Sequence, residues 1–416
     1  MATIALLEAG SSIRAEDLSR PRRLAVLAFL LLAYFCYGWA WNTVDILRPF
    51  IRDSVGLSLA ESGYLYSIQS AGALVGAVIL GQVADRIGRR NALALVMIGY
   101  GACLLAGVVI TTFAQLALQR SAMGFFMGAM FPITVGIYSG LFASTSRGVV
   151  AGFVMGTYNI AVAVLSYVTG QVIAAGHDWH VLLYIGVVPI AGAAFAYLIV
   201  PDDRKLIAWG TDAATRRTAS KFPIAELFAP AVRRQTLALA AMTGLNFFAY
   251  QAFTGWASTY LKDVRHLSPE LVGTVLAFQF IASAAGGFAW GWISDRIGRR
   301  MAASGFIVAA LIIPVYLFVP LSNPMFVALG FAYGFMLSSS TVWGPWLSEL
   351  YPPHLRSTAA SIFNWGRVIS IMAPPLTAAL VPVWGMAPVM LLGCVAFVLA
   401  ALIWLSQPET LKRRIA

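Results

Sequence analysis

Three charged side chains lie within long apolar stretches of the sequence: Asp45, Arg120 and Arg367. A charge placed in the apolar interior of a bilayer costs on the order of 2.5–3.5 kcal/mol even on the lenient scale, so such a residue is first read as functional. A guanidinium binds a carboxylate through two parallel hydrogen bonds. A carboxylate whose partner comes and goes can take up and release a proton. These residue types therefore predict chemistry with an organic anion and a proton.

Each of the three residues also has a structural interpretation. Arg367 falls about mid-segment, where a long side chain reaches the surface least easily, and we expect it to bind a substrate carboxylate rather than form a structural pair. Asp45 and Arg120 lie about 7–8 Å below the same surface at 1.5 Å per residue, so they could form a proton-coupling pair. Asp45 could equally belong to an outer rim with Arg48, Arg52 and Asp53.

Polar and aromatic side chains in other apolar segments complete the candidate binding site. Gln69 and Gln279 occupy equivalent places in two segments, where they could bind substrate or pair with each other. Aromatic residues among small polar ones suit a ring or acyl substrate, but they are also common in helix packing. The remaining candidates are Asn364, Tyr250, Gln251, Tyr333 and Trp343.

The sequence does not predict an enzyme, because it contains no nucleophile–base constellation and no phosphate-binding loop. His177 and His180 are three residues apart, but no cysteine or carboxylate cluster joins them, so we interpret them as loop residues rather than metal ligands. We therefore expect no metal and no cofactor, with the proton as coupling ion.

Composition identifies the elements that must position these residues. The 416 residues are 60% hydrophobic and 11% charged, whereas a soluble domain carries about 25% charge. The apolar stretches have roughly the 20 residues that span a bilayer. The net charge of +11 could suggest nucleic acid, but the basic residues fall at alternate segment boundaries, as in membrane proteins. The expected partners are the lipid bilayer and a small, anionic molecule, with the chain acting as a monomer.

Apolar length and periodicity predict an all-α integral membrane protein with twelve transmembrane helices in two pseudo-symmetric six-helix bundles. The predicted tail is 1–23, the first bundle 24–200, the linker 201–234, the second bundle 235–406 and the final tail 407–416. The spans are predicted near 24–50, 62–82, 91–112, 115–141, 149–175, 180–200, 235–260, 270–292, 302–320, 324–347, 357–380 and 386–406.

Charge counting orients these spans. With both termini in the cytoplasm, 22 of the 28 Lys and Arg residues fall on the cytoplasmic side, which is the bias that the positive-inside rule predicts. The first 23 residues contain Glu8 and Asp17 and lead from a basic cluster into a full-length span. We therefore expect a cytoplasmic tail rather than a cleaved signal peptide, and a location in the bacterial inner membrane.

The two bundles are predicted to be copies of each other. The decapeptide Gly81–Arg90 returns 210 residues later as Gly291–Arg300, and Gln69 and Gln279 precede the two copies at the same distance. Because six spans separate the copies, the halves have the same orientation, and a cavity between them would open to one side at a time. This arrangement predicts a transporter.

The repeated decapeptides resemble the signature loops of the major facilitator superfamily. Similar resemblances hold for Glu349–Arg356 before span 11 and for the half-ending elements Pro201–Asp203 and Pro408–Thr410. The resemblance implies a conformational latch in which Asp85 packs near Arg356, and Asp295 near Arg147, in the outward-open state. The residues assigned to it are Gly81, Asp85, Arg86, Gly88, Arg89, Arg90, Gly291, Asp295, Arg296, Gly298, Arg299, Arg300, Arg147, Glu349 and Arg356.

Two further elements resemble one branch of that superfamily. Arg120–Gly124 is similar to the span 4 element of proton-coupled members, and Asn364–Arg367 to the span 11 pattern of metabolite:proton symporters for organic acids, including aromatic acids, sialate and lactate. Span 1 offers Asp45 without the Asp-Gly-x-Asp element of the aromatic-acid group, and span 5 lacks the glycine–proline element of drug antiporters. The resemblance implies proton-coupled uptake of an organic acid. The alternatives are an exporter, a sugar or drug transporter, or a receptor built on this fold.

Overall fold

The computed structural model describes residues 13–143, 146–204, 206–207, 223–351, 355 and 362–411. Within these ranges the chain is almost entirely helical, and ten helical stretches are long and apolar enough to cross a membrane. A two-residue strand, Ile13–Arg14, pairs in parallel with Leu206–Ile207. The chain is therefore a multi-pass, all-helical membrane protein, as the composition predicts.

The helices that precede the linker are α1 (Arg20–Ile46), α2 (Arg48–Val55), α3 (Leu59–Ile87), α4 (Arg89–Ala106), α5 (Phe113–Met127), α6 (Met130–Leu141), α7 (Arg147–Ala174) and α8 (Val187–Ile199). The helices that follow are α9 (Pro223–Glu226), α10 (Arg233–Asp263), α11 (Pro269–Ile297), α12 (Ala303–Phe318), α13 (Asn323–Leu337), α14 (Trp343–Glu349), α15 (Ile362–Ser370), α16 (Ala373–Trp384) and α17 (Met386–Ser406). Most of the predicted spans coincide with these helices to within a few residues. The spans predicted near 115–141, 180–200 and 324–347 are divided, because α5 ends before α6 begins, a 3-10 helix (Trp179–Gly186) precedes α8, and another (Ser338–Val342) separates α13 from α14.

Two of the twelve predicted spans are helical without being among the ten apolar stretches. Helix α12 has 16 residues, fewer than any of the ten stretches. Helix α10 has 31 residues, but a stripe of polar side chains lowers its hydropathy. The stripe consists of Thr243, Asn246, Gln251, Thr254 and Ser258, all of which are buried. Since buried polar groups in a membrane helix face other helices or a cavity, α10 is not a lipid-facing span.

Prolines divide two of the predicted spans. The segment predicted as one helix over 24–50 breaks at Leu47, because Pro49 lacks the N–H that would bond to the carbonyl of Asp45. The chain continues as α2, with Pro49 in its first turn. In the same way, α15 ends at Ser370 and α16 begins at Ala373, because Pro374 and Pro375 cannot donate to Ser370 and Ile371.

The described residues belong to two compact units. The first unit comprises 1–41, 71–158 and 182–216, and the second comprises 42–70, 159–181 and 217–416. The second unit thus includes the C-terminal end of α1, all of α2, the beginning of α3 and the end of α7. These boundaries cut through helices, whereas the predicted halves divide at the linker, so the six-plus-six division stays a prediction.

Glycines bring α3 and α5 into backbone contact in the first unit. A Cβ atom on Gly76 would overlap the carbonyl of Phe125, and one on Gly128 would overlap the carbonyl of Ala73. In a membrane, close packing between helices stands in for the hydrophobic driving force that water would supply. The two helices therefore form a rigid pair.

The end of each half of the sequence binds the loop that contains the decapeptide. In the first unit, Asp203 accepts a hydrogen bond of 2.8 Å from the backbone N–H of Arg89, whose side chain donates to the carbonyl of Gly136 at 3.0 Å. Arg90 pairs with Asp202 at 3.4 Å. Gly88 precedes this turn with φ of +88°, a conformation that disfavours any side chain.

The second unit repeats this arrangement with Glu409. Its carboxylate accepts backbone hydrogen bonds from Arg299 at 3.0 Å and Arg300 at 2.9 Å, after Gly298 with φ of +110°. Burial acts to raise the pKa of Glu409, but these hydrogen bonds and those from Thr410 and Leu411 outweigh it, so the pKa lies below its usual value. The half-ending elements are therefore anionic caps for the decapeptide loops.

Replacing Glu409 with Gln is expected to destabilise the protein at neutral pH by about 1–2 kcal/mol, the typical cost of losing a charged cap. A lowered folded-state pKa stabilises above the ordinary Glu value of about 4.3, and that stabilisation disappears as the pH falls through the lowered pKa. Thermal unfolding at pH 7 and pH 4 measures the difference, which should narrow at the lower pH. Glu270→Gln, on an exposed residue, is the control; an equal effect of both substitutions would contradict the capping role.

Candidate functional site

Asp45 and Arg48 form a buried ion pair at the break between α1 and α2. The carboxylate Oδ1 and the guanidinium Nη2 are 2.5 Å apart, and the side chains are 7% and 1% exposed. The two residues lie on either side of Leu47, with Asp45 in the last turn of α1 and Arg48 at the start of α2. Arg48 and Asp45 are therefore interior residues rather than members of an exposed rim, whereas Arg52 and Asp53 remain partly exposed.

Trp256 of α10 covers the Arg48 guanidinium. The guanidinium carbon lies 4.2 Å from the ring centroid, within the range of a cation–π contact. The indole N–H of Trp256 donates to Thr377 of α16 at 2.7 Å. A Cβ atom on Gly63 of α3 would lie 3.3 Å from the Trp256 ring, so only a glycine fits there without displacement. Helices α1, α3, α10 and α16 thus enclose the ion pair.

Asp45 also lies beside Gln251, one of the predicted binding residues. A Cβ atom added to Gly255 would lie 3.8 Å from Asp45 Oδ1 and would overlap Gln251 Oε1. Gly255 therefore lets α10 approach the end of α1 closely enough to bring the two side chains together. Gln251 is buried, and a buried amide is suited to hold a polar ligand or a proton donor.

Tyr66 connects this pair to Arg367. The tyrosine is buried on α3 and lies within electrostatic range of both Asp45 and Arg367. The Arg367 guanidinium carbon is 5.6 Å from the ring centroid of Phe247 on α10. Gly366 permits this approach, because a Cβ atom there would meet the backbone of Thr243. Two cations, one anion and a phenol are therefore gathered in the second unit.

Arg120 is buried on α5 in the first unit, whereas Asp45 belongs to the second unit. Their predicted pairing stays a prediction. Gln69 is buried on α3 and Gln279 on α11. Gln279 packs against Gly334 of α13, because a Cβ atom on Gly334 would overlap the backbone carbonyl of Gln279.

The aromatic residues that were predicted to contact substrate lie in different surroundings. Tyr333 is fully buried, with its hydroxyl 3.0 Å from Thr254 Oγ1 and its ring against Phe253. Trp343 is also fully buried, and its ring meets Phe306 and Trp404 edge to face. These contacts fit the packing interpretation that the sequence left open.

The other two residues predicted to contact substrate are Tyr250, which is less enclosed, and Asn364. Tyr250 is half-buried on α10. The backbone of Asn364 belongs to α15, and its side chain lies outside the described residues.

The predicted latch residues lie in and around the two decapeptide loops. Asp85 and Asp295 are exposed, and Asp295 pairs with Arg299 of its own loop at 2.7 Å. Arg299 also lies 3.4 Å from Glu349, which accepts a hydrogen bond of 2.6 Å from Thr410. Arg147 donates to the carbonyl of Phe142 at 2.9 Å. Arg356 lies outside the described residues, and the latch stays a prediction.

Sequence reasoning missed Tyr66 and Trp256 as neighbours of the charged cluster, and it placed Arg48 on the surface. The i, i+3 spacing of Asp45 and Arg48 was a usable signal, since residues three apart face each other on a helix. The roles of Tyr66 and Trp256 had no such signal, because the facing of a helix depends on its packing partners.

The site is equipped to bind an ion or a polar molecule rather than to catalyse a reaction. Within the described ranges, no group of three or more His, Cys, Asp or Glu side chains could hold a metal ion. The apolar helices and the charges enclosed among them define a multi-pass membrane protein of the transporter class.

Family comparison supports the same class. The model of the Major Facilitator Superfamily matches residues 30–277 and 239–416. The chain therefore belongs to the Major Facilitator Superfamily, whose members are transporters and not enzymes.

Three similar proteins are described as transporters of organic compounds. The chain is 28% identical over 351 residues to the "Probable 4-methylmuconolactone transporter" of Cupriavidus pinatubonensis, with 80% of this chain and 79% of the relative covered. It is 26% identical over 406 residues to the gallate transporter of Pseudomonas putida, covering 91% and 90%. It is 25% identical over 364 residues to the cis,cis-muconate transport protein of Acinetobacter baylyi, covering 83% and 84%.

Solved structures share the fold. A bacterial homolog of the human lysosomal transporter Spinster, in an inward-facing and unoccupied conformation, matches with a TM-score of 0.77 at 17% identity, covering 93% of this chain and 97% of that one. The nucleoside transporter NupG matches with a TM-score of 0.72 at 17% identity, covering 92% and 99%. At this identity the likeness concerns the fold alone.

Replacing Asp45 with Asn should destabilise the protein by about 3–5 kcal/mol, because the substitution leaves the Arg48 charge buried without its ion-pair partner. The double variant Asp45→Asn/Arg48→Gln should recover most of that loss, since no buried charge is left at the pair. Thermal unfolding followed by tryptophan fluorescence measures both. Asp53→Asn, at a half-exposed carboxylate, is the matched control and should cost less than about 1 kcal/mol; an equal loss in Asp45→Asn and Asp53→Asn would refute the account.

Proposed function

We propose that the protein is a proton-coupled symporter that takes up a small organic acid, in the class of aromatic and related carboxylates, across the bacterial inner membrane by alternating access. The observation that carries the proposal is that Tyr66, buried on α3, lies within electrostatic range of both the buried Asp45 and the half-buried Arg367. These residues supply a guanidinium for a substrate carboxylate and a second carboxyl group for a proton.

Each predicted binding residue is assigned a role in this proposal. Arg367 binds the substrate carboxylate, and Phe247 and Tyr250 offer ring faces to an aromatic or unsaturated substrate. The amides of Gln251, Gln69, Gln279 and Asn364 orient its polar groups. Tyr333 and Trp343 support the site from the packed interior of the second unit. The relatives named for gallate and cis,cis-muconate favour this substrate class over sugars and drugs.

Proton coupling is assigned to Asp45 and Arg120. An ion pair between Asp45 and Arg48 keeps the carboxyl ionised, and loss of that pair lets it bind a proton. Arg120 is proposed as the alternate partner of Asp45 during the cycle. Both termini are proposed to lie in the cytoplasm, since 22 of the 28 basic residues then fall inside.

Uptake by purified protein in proteoliposomes tests the proposal. Labelled gallate, 4-hydroxybenzoate and cis,cis-muconate serve as probes, with an imposed pH gradient, acid outside, and an uncharged sugar as the negative control. We expect accumulation of at least one acid that collapses with the gradient. Accumulation that ignores the gradient would refute proton coupling, and exchange of the sugar alone would refute the substrate class.

Arg367→Gln should weaken binding of the transported acid, and so raise the KM for its uptake, by about a hundredfold. The reason is that a charged hydrogen-bonded pair contributes about 1.5–3 kcal/mol. Arg367→Lys should lose less, since it keeps the charge without the fork. The readout is the KM for uptake, with protein abundance measured in parallel. Arg234→Gln, at an exposed arginine at the start of α10, is the control, and an unchanged KM in Arg367→Gln would contradict the assignment.

The two decapeptides are proposed to form the latch that stabilises the outward-open state. A carboxylate near a helix N-terminus is stabilised by about 0.3–1 kcal/mol when exposed, so loss of Asp85 should shift the equilibrium two- to fivefold. Asp85→Asn is therefore expected to slow net uptake at unchanged expression, while Glu61→Gln at the other end of the same helix should not. A wild-type uptake rate in Asp85→Asn would exclude the latch.

A further inference from the structure

Four charged side chains form a closed ring in the second unit, at the end that carries the α1–α2 break. Arg52 pairs with Asp263 at 2.6 Å and with Asp53 at 2.7 Å. Lys262 pairs with Asp53 and, at 3.4 Å, with Asp263. Each charge therefore touches two opposite charges, and every second contact joins α2 to α10. We name these four residues the distal ring.

The distal ring is built from two dipeptides that share one pattern, a basic residue followed by an aspartate. Arg52–Asp53 and Lys262–Asp263 are 210 residues apart, the offset that separates the two decapeptides. Each dipeptide has the order base then acid, and the two contact each other reciprocally. The base of one meets the acid of the other, as in an isologous interface between identical subunits. This reciprocity identifies the ring as part of the internal repeat rather than a chance surface contact.

Buried polar contacts join α10 and α3 to the helix breaks. Ser258 of α10 donates to the carbonyl of Ile46 at 2.8 Å, and Ser67 of α3 donates to the carbonyl of Ile371 at 2.6 Å. The usual helical donor to Ile371 is missing because residue 375 is a proline, and the N–H of Phe50, the usual donor to Ile46, bonds to Leu47 instead. The Arg48–Trp256 contact joins α2 to α10 as well. The ring thus closes over contacts that already join helices from both halves of the sequence.

We propose that the distal ring is an electrostatic lock: it holds this end of the transporter closed, and all of its contacts between α2 and α10 must break together when the end opens to admit substrate. The proposal goes beyond the proposed function, because neither the substrate nor the coupled proton takes part in it. Its four members determine the balance between the two states of the transport cycle.

Arg52 and Asp53 keep their charges over the working pH range. Burial acts to raise the pKa of Asp53, but its hydrogen bonds with Lys262 and Arg52 outweigh it and keep that pKa below the usual value. Burial acts to lower the pKa of Arg52, but its hydrogen bonds with Asp263 and Asp53 raise it overall. The Asp53 contribution is present above the ordinary Asp value of about 3.9 and is lost only below that. The lock therefore opens by separation of charges, and salt weakens it.

A buried reporter on α10 tests the lock. Thr259 is 1% exposed and precedes Lys262 and Asp263 by one helical turn. Thr259→Cys is placed in a background with Cys36, Cys103 and Cys394 replaced by Ser, and the protein is reconstituted in nanodiscs so that both faces are accessible. The rate of labelling by a membrane-impermeant maleimide reports how often this end is open.

Arg52→Asp should raise the labelling rate by about five- to tenfold, because it converts the attraction to Asp263 into repulsion. The swapped variant Arg52→Asp/Asp263→Arg restores opposite charges between positions 52 and 263, while the contact of Asp53 with Lys262 is untouched. Both contacts between the helices are then attractive, and the like charges lie within each dipeptide, so the rate should return to within about twofold of the parent. Glu270→Gln, an exposed carboxylate outside the ring, should leave the rate unchanged.

The salt dependence of the labelling rate gives a second measurement, which needs no reversal of charge. Raising the salt from 0.05 to 1 M should accelerate labelling of the parent, since the Debye length shortens to about 3 Å. The acceleration should be smaller in Asp53→Asn, which has lost one contact between the helices. Equal labelling of Arg52→Asp and the parent, or a swapped variant as open as Arg52→Asp, would overturn the lock. A salt effect that is the same in Asp53→Asn and the parent would overturn it as well.

Discussion

Lipid offers no hydrogen-bond donor, so a backbone carbonyl that a proline frees inside a membrane segment must be satisfied by the protein itself. This constraint governs both helix breaks in the second unit. The carbonyl of Ile371, which loses its usual donor to Pro375, accepts from Ser67. The carbonyl of Ile46 is freed because the N–H of Phe50 bonds to Leu47 at the break, and it accepts from Ser258. Each donor comes from the other half of the sequence. The breaks that make room for a polar site therefore also supply the contacts that hold its surroundings together.

Buried charged side chains also need partners that the protein supplies, and leaving a charge unpaired costs more free energy than leaving a carbonyl unpaired. A buried guanidinium is tolerated where an anion and an aromatic face replace water. Arg48 has both, in Asp45 and Trp256. The charges of the distal ring remain partly exposed, and Lys262 lies with its Nζ 5.7 Å from the ring centroid of Phe50. The second unit thus contains an interior ion pair that suits a chemical role and a surface ring that suits a mechanical one, separated by one turn of α2.

Sequence reasoning recovered the helices because apolar length alone decides whether a segment can span a bilayer. It also recovered the charged residues of the interior, since Asp45, Arg120 and Arg367 are conspicuous in apolar surroundings and all three are wholly or partly buried. Pro49 was available as a signal for the break at Leu47, yet the apolar run over 24–50 concealed it. Arg48 was interpreted as a rim residue because basic side chains at span ends normally reach water.

Other parts of the site could not be read from one sequence. Tyr66 and Trp256 gain their importance from the facing of α3 and α10, which depends on glycines such as Gly63 and Gly255 at the helix contacts. The capping roles of Asp203 and Glu409 depend on contacts across more than a hundred residues of chain. Hydrogen bonds between residues so far apart in the chain produce no periodic pattern in the sequence. They follow from the three-dimensional arrangement of elements whose individual positions were predictable.

The reciprocal build of the distal ring also limits how the gene can change. A substitution that removes the charge at any one of the four positions leaves each of its two neighbours with one opposite charge instead of two, and a compensating change elsewhere in the ring restores the lost contact. For the contacts between α2 and α10, that second change falls in a codon some 210 positions away, in the other copy of the repeat. The two halves, although free to diverge elsewhere after duplication, must therefore evolve together at these positions.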